Sequence, residues 1–95
     1  MQHTNKITQQ QFDDIQRSIL AAANATTKKN AKIPLEKAKY IHSQLRHLLS
    51  DYVDEKLTAA INCAEDAAGN VKGKARLLEN VDHYLYLFKL KVTVE

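Results

Sequence analysis

Tryptophan is absent from this 95-residue chain, cysteine, proline and methionine occur once each, and glycine occurs twice. The lone Cys63 excludes an internal disulfide and fits a reducing compartment, so the sequence predicts a cytoplasmic protein. Cys63 lies in an Ala-rich stretch and reads as a small core residue rather than a nucleophile. With so few helix breakers, the plentiful Ala, Leu, Lys and Gln favour helix throughout, and the expected fold class is all-α. No run approaches the length of a membrane span, and the start, Met1-Gln2-His3-Thr4-Asn5-Lys6, is polar, so neither a transmembrane segment nor a signal peptide is expected. No recognised metal-ligand spacing occurs, and neither a metal nor another cofactor is expected. The length suits one domain, residues 1–95, with a single core of three or four helices.

What is present in quantity is charge, and it comes in blocks. Residues 28–46 carry Lys28, Lys29, Lys32, Lys37, Lys39 and Arg46 against Glu36 alone. Residues 47–68 carry Asp51, Asp54, Glu55, Glu65 and Asp66 against Lys56, and Lys72, Lys74 and Arg76 then follow. Charge segregated in this way organises association.

Thr8 followed by Gln11 is a capping box with Ile7 and Phe12 at the staple positions, which predicts a first helix over about 9–24. Its buried face is Phe12, Ile15, Ile19, Leu20 and Ala23. Residues 25–33 read as a polar connector, with Pro34 in the first turn of the second helix, where proline is tolerated. An apolar stripe then runs through Leu35, Ala38, Ile41, Leu45, Leu48, Leu49 and Tyr52, and resumes as Val53, Leu57, Ala60, Ile61, Ala64, Ala67 and Ala68. Between the two sets the face rotates by roughly a quarter turn at 100° per residue. Ser50-Asp51, a capping dipeptide, marks the shift and predicts a break between helices of about 34–49 and 51–68.

The alternative is one central helix roughly 50 Å long in a three-helix chain, covered by a second copy in a dimer. Gly69 reads as the cap of the third helix and Asn70 as the start of a fourth, about 71–88, with Val71, Ala75, Leu78, Val81, Leu85 and Phe88 on one face. The expected architecture is therefore an antiparallel up-down four-helix bundle. After Phe88 the apolar period changes to two, through Leu90, Val92 and Val94, which suggests a short C-terminal strand. Such a strand would pair with a symmetry mate or a partner's sheet; the bland alternative is a fraying helical tail.

Two candidate sites follow. The dense apolar stretch near the C-terminal end puts Tyr84, Tyr86, Leu87, Phe88, Leu90 and Val92 forward as partner-binding residues. In an up-down bundle the loops after the first and third helices share an end, so Lys28, Lys29, Lys32, Lys72, Lys74 and Arg76 would converge beside helix N-termini as an anion-binding set. Gly69-Asn70-Val71-Lys72-Gly73-Lys74-Ala75 resembles a phosphate loop but is one residue short, lacks Ser or Thr after the lysine and follows no strand pattern, which rejects a nucleoside triphosphatase. His42 and His47 are five apart and so share no helix face, His83 falls in another helix, and His3 sits in the polar start.

Arg76 and His83, two turns apart, resemble the Arg-x4–6-His spacing of the HEPN-type ribonucleases. That resemblance implies a dimeric helical enzyme acting on RNA phosphate. It covers these two residues only, and Leu77 stands where the family usually has a polar residue. In length and basic, helical character the chain is also similar to the small cytosolic immunity proteins of bacteriocin producers. The leading expectation is a non-enzymatic cytosolic binding protein acting stoichiometrically on a macromolecular partner, as an inhibitor, immunity or antitoxin-like factor or assembly subunit. The partner is another protein or a second copy in a homodimer, with no membrane involved. The alternatives are a binder of RNA, a nucleotide or another phosphate-bearing ligand through the basic end, and a HEPN-like ribonuclease.

Overall fold

The computed structural model describes residues 4–95; His3 lies outside them. A two-residue strand β1 (Lys6–Ile7) leads into α1 (Gln9–Asn24) through the expected capping box. The Thr8 hydroxyl accepts from the Gln11 amide at 3.0 Å, and the Gln11 side chain accepts from the Thr8 amide at 2.8 Å. Two of the orphan donors of the first turn are thus satisfied reciprocally.

The second helix starts earlier than its proline suggests. α2 runs Lys28–Leu45, because Thr27 is extended and its hydroxyl accepts from the Asn30 amide at 3.0 Å. The expected connector 25–33 shrinks to residues 25–27, and Pro34 stands inside the helix as its seventh residue. There it removes the N–H that would reach the Asn30 carbonyl. The stripe also extends upstream to Ala31, which is buried, and packing outweighs the penalty of the proline. α2 therefore begins six residues earlier and ends four residues earlier than the 34–49 reading.

A 3-10 turn, Arg46–Leu48, an extended Leu49 and Ser50 then carry the chain into α3 (Asp51–Ala67). The change of face is a change of direction, so the single central helix is set aside. Ser50 is the N-cap, yet its side chain makes no capping hydrogen bond. The joint is held instead by Asn5, which adopts a left-handed backbone (φ 53°). Its N–H donates to Leu48 C=O at 2.8 Å, its side-chain oxygen accepts from the Ser50 N–H at 2.8 Å, and its carbonyl accepts from Thr93 N–H at 2.7 Å. Across the same joint His42 Nε2 lies 2.5 Å from Asp54 Oδ1, with Arg46 Nε at 3.9 Å.

The α3 C-cap is Ala68, and the chain turns through residues 68–73 before α4 (Lys74–Lys91). Gly73, left-handed at φ 75°, stands at the N-cap of α4 in place of Asn70, so the fourth helix starts three residues later than the expected 71. The fourth helix also runs three residues beyond Phe88 before the chain becomes extended at Val92.

Strand β2 (Thr93–Val94) pairs with this chain's own β1, in parallel, with Lys6 opposite Thr93 and Ile7 opposite Val94. The expected pairing with a symmetry mate or a partner's sheet is thus corrected: the N-terminal segment supplies the ladder partner. Glu95 N–H donates to Ile7 C=O at 3.0 Å, Gln9 N–H to Glu95 C=O at 2.9 Å, and Lys6 pairs with Glu95 at 3.1 Å.

α1 packs mainly on α2 and α3 mainly on α4, and the two hairpins join through α1 and α3. This is the antiparallel four-helix bundle, 42 × 22 × 19 Å. Ile15, Ile19, Leu45, Leu57, Val81 and Phe88 fill the core, and Ala22, Ala23, Ala38, Ala60, Ala64 and Ala67 line seams where helices approach closely. The Phe12 and Phe88 rings stack with centroids 6.2 Å apart. Among the described residues no helix is long and apolar enough to cross a membrane.

Candidate functional site

The loops after α1 and α3 do meet. Gly69 turns left-handed (φ 90°) and its N–H donates to the Ala25 carbonyl at 2.9 Å. The lysines around this contact divide into those held inward and those left outside. Lys74 folds inward, and its ammonium reaches Ala67 C=O at 2.7 Å, Gly69 C=O at 2.9 Å, Ala23 C=O at 3.0 Å and Ala25 C=O at 3.1 Å. These carbonyls belong to the ends of α1 and α3, where orphan acceptors and the negative poles of two helices coincide. Lys74 is therefore corrected from an anion ligand to a clamp between two helix ends. The Lys28 ammonium donates to Glu65 C=O at 3.0 Å, again in the last turn of α3.

Lys29, Lys32, Lys72 and Arg76 remain exposed. Because α2 starts at Lys28, Lys29 and Lys32 belong to a helix rather than a loop, and they continue into a longer basic face. Lys37 follows, and among the described residues none of Lys29, Lys32 and Lys37 makes an ion pair. Lys39 pairs with Glu65 at 3.6 Å. Ile33 stands between Lys32 and Lys37 and Tyr40 follows Lys39; they are 77% and 63% exposed, with the exposed Glu36 on the turn between them. Seven residues apart, they share one face of α2. The Tyr40 hydroxyl accepts from Gln44 Nε2 at 2.9 Å, which ties the ring to the next turn. Beside this face a pocket of about 350 Å³ opens between α2 and α3, with Ala31, Leu35 and Ala68 as apolar walls and Lys28, Lys29, Lys32 and Glu65 around them.

Sequence reasoning missed Ile33 and Tyr40. Ile33 was hidden in the supposed connector, and the signal for both was available: two large apolar residues seven apart that do not belong to the buried stripe.

The partner-binding set near the C-terminal end divides in the same way. Phe88 is fully buried in its stack with Phe12, and Tyr84, Leu87 and Val92 are half-buried. Phe88 is corrected to a core residue, because the helix turns that side of α4 onto α1 and α3. Only Tyr86 and Leu90 of the set are exposed, at 59% and 57%. The Lys56 ammonium lies 5.0 Å from the Tyr52 ring centroid and 5.9 Å from that of Tyr84.

Arg76 and His83 are both exposed on α4, and the His83 ring meets Tyr84 edge-on at 5.5 Å. His42 is committed to Asp54. Among the described residues no three His, Cys, Asp or Glu side chains gather where they could hold a metal ion. The Cys63 thiol is pushed above its ordinary value of 9.0, first by partial burial and then by the Asp66 carboxylate. Both causes disfavour the thiolate.

No protein-family model matches the chain, and neither the curated proteins nor the solved structures yield a similar one.

Proposed function

We propose that this is a cytoplasmic, non-catalytic binding protein that docks stoichiometrically on an acidic surface of another protein through the outer face of α2. One observation supports the reading: Lys29, Lys32 and Lys37, none of them in an ion pair among the described residues, share the outer face of α2 with the exposed Ile33 and Tyr40, and Glu36 is the one acid of that helix. Lysines alone would serve solubility. Unpaired lysines around two large exposed apolar side chains form a mixed patch, in which charge speeds encounter and apolar burial holds the complex. Inhibitor, immunity factor, antitoxin-like factor and assembly subunit are all roles such a patch serves.

A glutamate-rich peptide with interspersed aromatic residues is the direct probe. Lys29→Glu/Lys32→Glu/Lys37→Glu abolishes its binding, and Ile33→Ser/Tyr40→Ser, which leaves the charge unchanged, weakens it by about tenfold or more. A charge-matched reversal at Lys72, Arg76 and Lys91 leaves it nearly intact. Equal loss from both reversals would reduce the effect to net charge and overturn the reading.

A second reading is supported by the meeting of the two loops: a phosphate-bearing ligand, RNA or nucleotide, held at that end by Lys29, Lys32, Lys72 and Arg76. It expects an RNA oligonucleotide to bind more tightly than the peptide, with steep salt dependence. RNA cleavage that His83→Ala abolishes would instead place the protein among nucleases.

A further inference from the structure

We infer that two copies of this chain associate about a twofold axis through the α1/α4 face, each inserting Tyr86 against the other's groove. α1 and α4 meet less closely than the helices of either hairpin. Between them runs a groove of about 200 Å³, with Phe12, Leu20 and Leu85 inside and Gln16, Asp82 and Lys89 at its edge. Tyr86 also lines it, and Leu90, one turn further along α4, extends the apolar lip outward.

The charges identify the occupant. A twofold interface joins a patch to itself, so every charge in it needs its opposite at the symmetry-related place in the same patch. Asp82 and Lys89 meet that condition. They are seven residues apart, two turns of helix, and lie on the same side of α4 with Tyr86 between them. Among the described residues neither makes an ion pair. When α4 packs antiparallel on a second α4 with the axis between Leu85 and Tyr86, Asp82 of each copy faces Lys89 of the other. Two ion pairs then flank a centre made of both Tyr86 rings, Leu90 and the groove residues Phe12, Leu20 and Leu85. A like-charged pair in these positions would oppose the arrangement; the observed pair favours it twice.

The α1/α4 face shares no residue with the outer face of α2, so either surface can fail without the other. The test is the solution mass of the full chain against concentration, by sedimentation equilibrium, with circular dichroism to show that each variant is folded. The wild type is expected to be a dimer. Asp82→Lys alone and Lys89→Asp alone each set like charges against each other at both ends, and each raises the dissociation constant by about a hundredfold. The double variant restores the dimer, and mixing the two single variants produces a heterodimer, since one then carries two cations and the other two anions in register. A monomeric wild type overturns the inference, as does a dimer that either single reversal leaves unchanged or that the mixture fails to re-form.

Discussion

Lys74 Nζ lies 2.7 Å from the carbonyl oxygen of Ala67, seven residues behind it in the chain, and the same ammonium reaches Ala23, Ala25 and Gly69. An ammonium has three protons, so four carbonyl acceptors share three donors. One cation therefore closes the ends of two helices that have no covalent link nearby. Removing it takes a donor from four carbonyls, of which that of Ala25 still accepts from the Gly69 N–H. Lys74→Met is expected to lower stability by about 3 kcal/mol in urea unfolding. Lys72→Met, exposed two residues away, changes it by about 0.5 kcal/mol or less. Equal effects at the two positions would show that the clamp contributes nothing.

Asn5 performs a similar task at the opposite end. Its side-chain oxygen holds Ser50, and its left-handed backbone directs its N–H and carbonyl to Leu48 and Thr93. Asn5→Ala loses the side-chain acceptor and adds the strain of a left-handed alanine, a cost of about 2 kcal/mol. Asn5→Gly loses the acceptor alone and costs about 1 kcal/mol. Thermal unfolding of both variants checks the order, which reverses if the backbone conformation is irrelevant.

Pro34 interrupts the hydrogen-bond ladder of α2 without supplying a cap or ending the helix. Replacing it with alanine restores an N–H donor to the Asn30 carbonyl, at the cost of a more flexible unfolded chain. The balance favours Pro34→Ala by about 2 kcal/mol, seen as a thermal midpoint roughly 10 °C higher. A lower midpoint would mean that the proline fits its site better than the helix geometry implies.

Cys63 is half-buried, and its thiol is pushed upward by burial and by Asp66. A raised thiol holds its proton to higher pH, so at mildly alkaline pH the reactive thiolate is scarcer than in the unfolded chain. Alkylation by iodoacetamide is therefore expected to be slower in the folded protein, with an inflection above 9.0. Asp66→Asn moves the inflection down. An inflection below the ordinary thiol value would contradict the assignment.

The helices were legible where packing and capping agree. Thr8 and Gln11 announced α1, and the rotation of the stripe at Ser50 and Asp51 announced the joint that makes a bundle of the chain. Two elements were misread for a shared reason: long-range partners outweighed local signals. Pro34 argued for a late start to α2, but burial of Ala31 and the Thr27 cap carried the helix upstream through it. Thr93 and Val94 had no visible partner, because Lys6 and Ile7 lie at the other end of the sequence. The same holds for function. Lys74 looked like the other lysines of its block, and only the meeting of two helix ends separates it from Lys29 and Lys32.

Docking through the outer face of α2 is read residue by residue in an amide chemical-shift titration of the labelled protein with the glutamate-rich, aromatic-containing peptide. Shifts are expected to concentrate on Lys29, Lys32, Ile33, Lys37 and Tyr40, to saturate at one peptide per chain, and to weaken when Ile33 and Tyr40 are replaced by serine. Shifts centred instead on residues 69–76, or spread evenly over all exposed lysines without saturating, would contradict it.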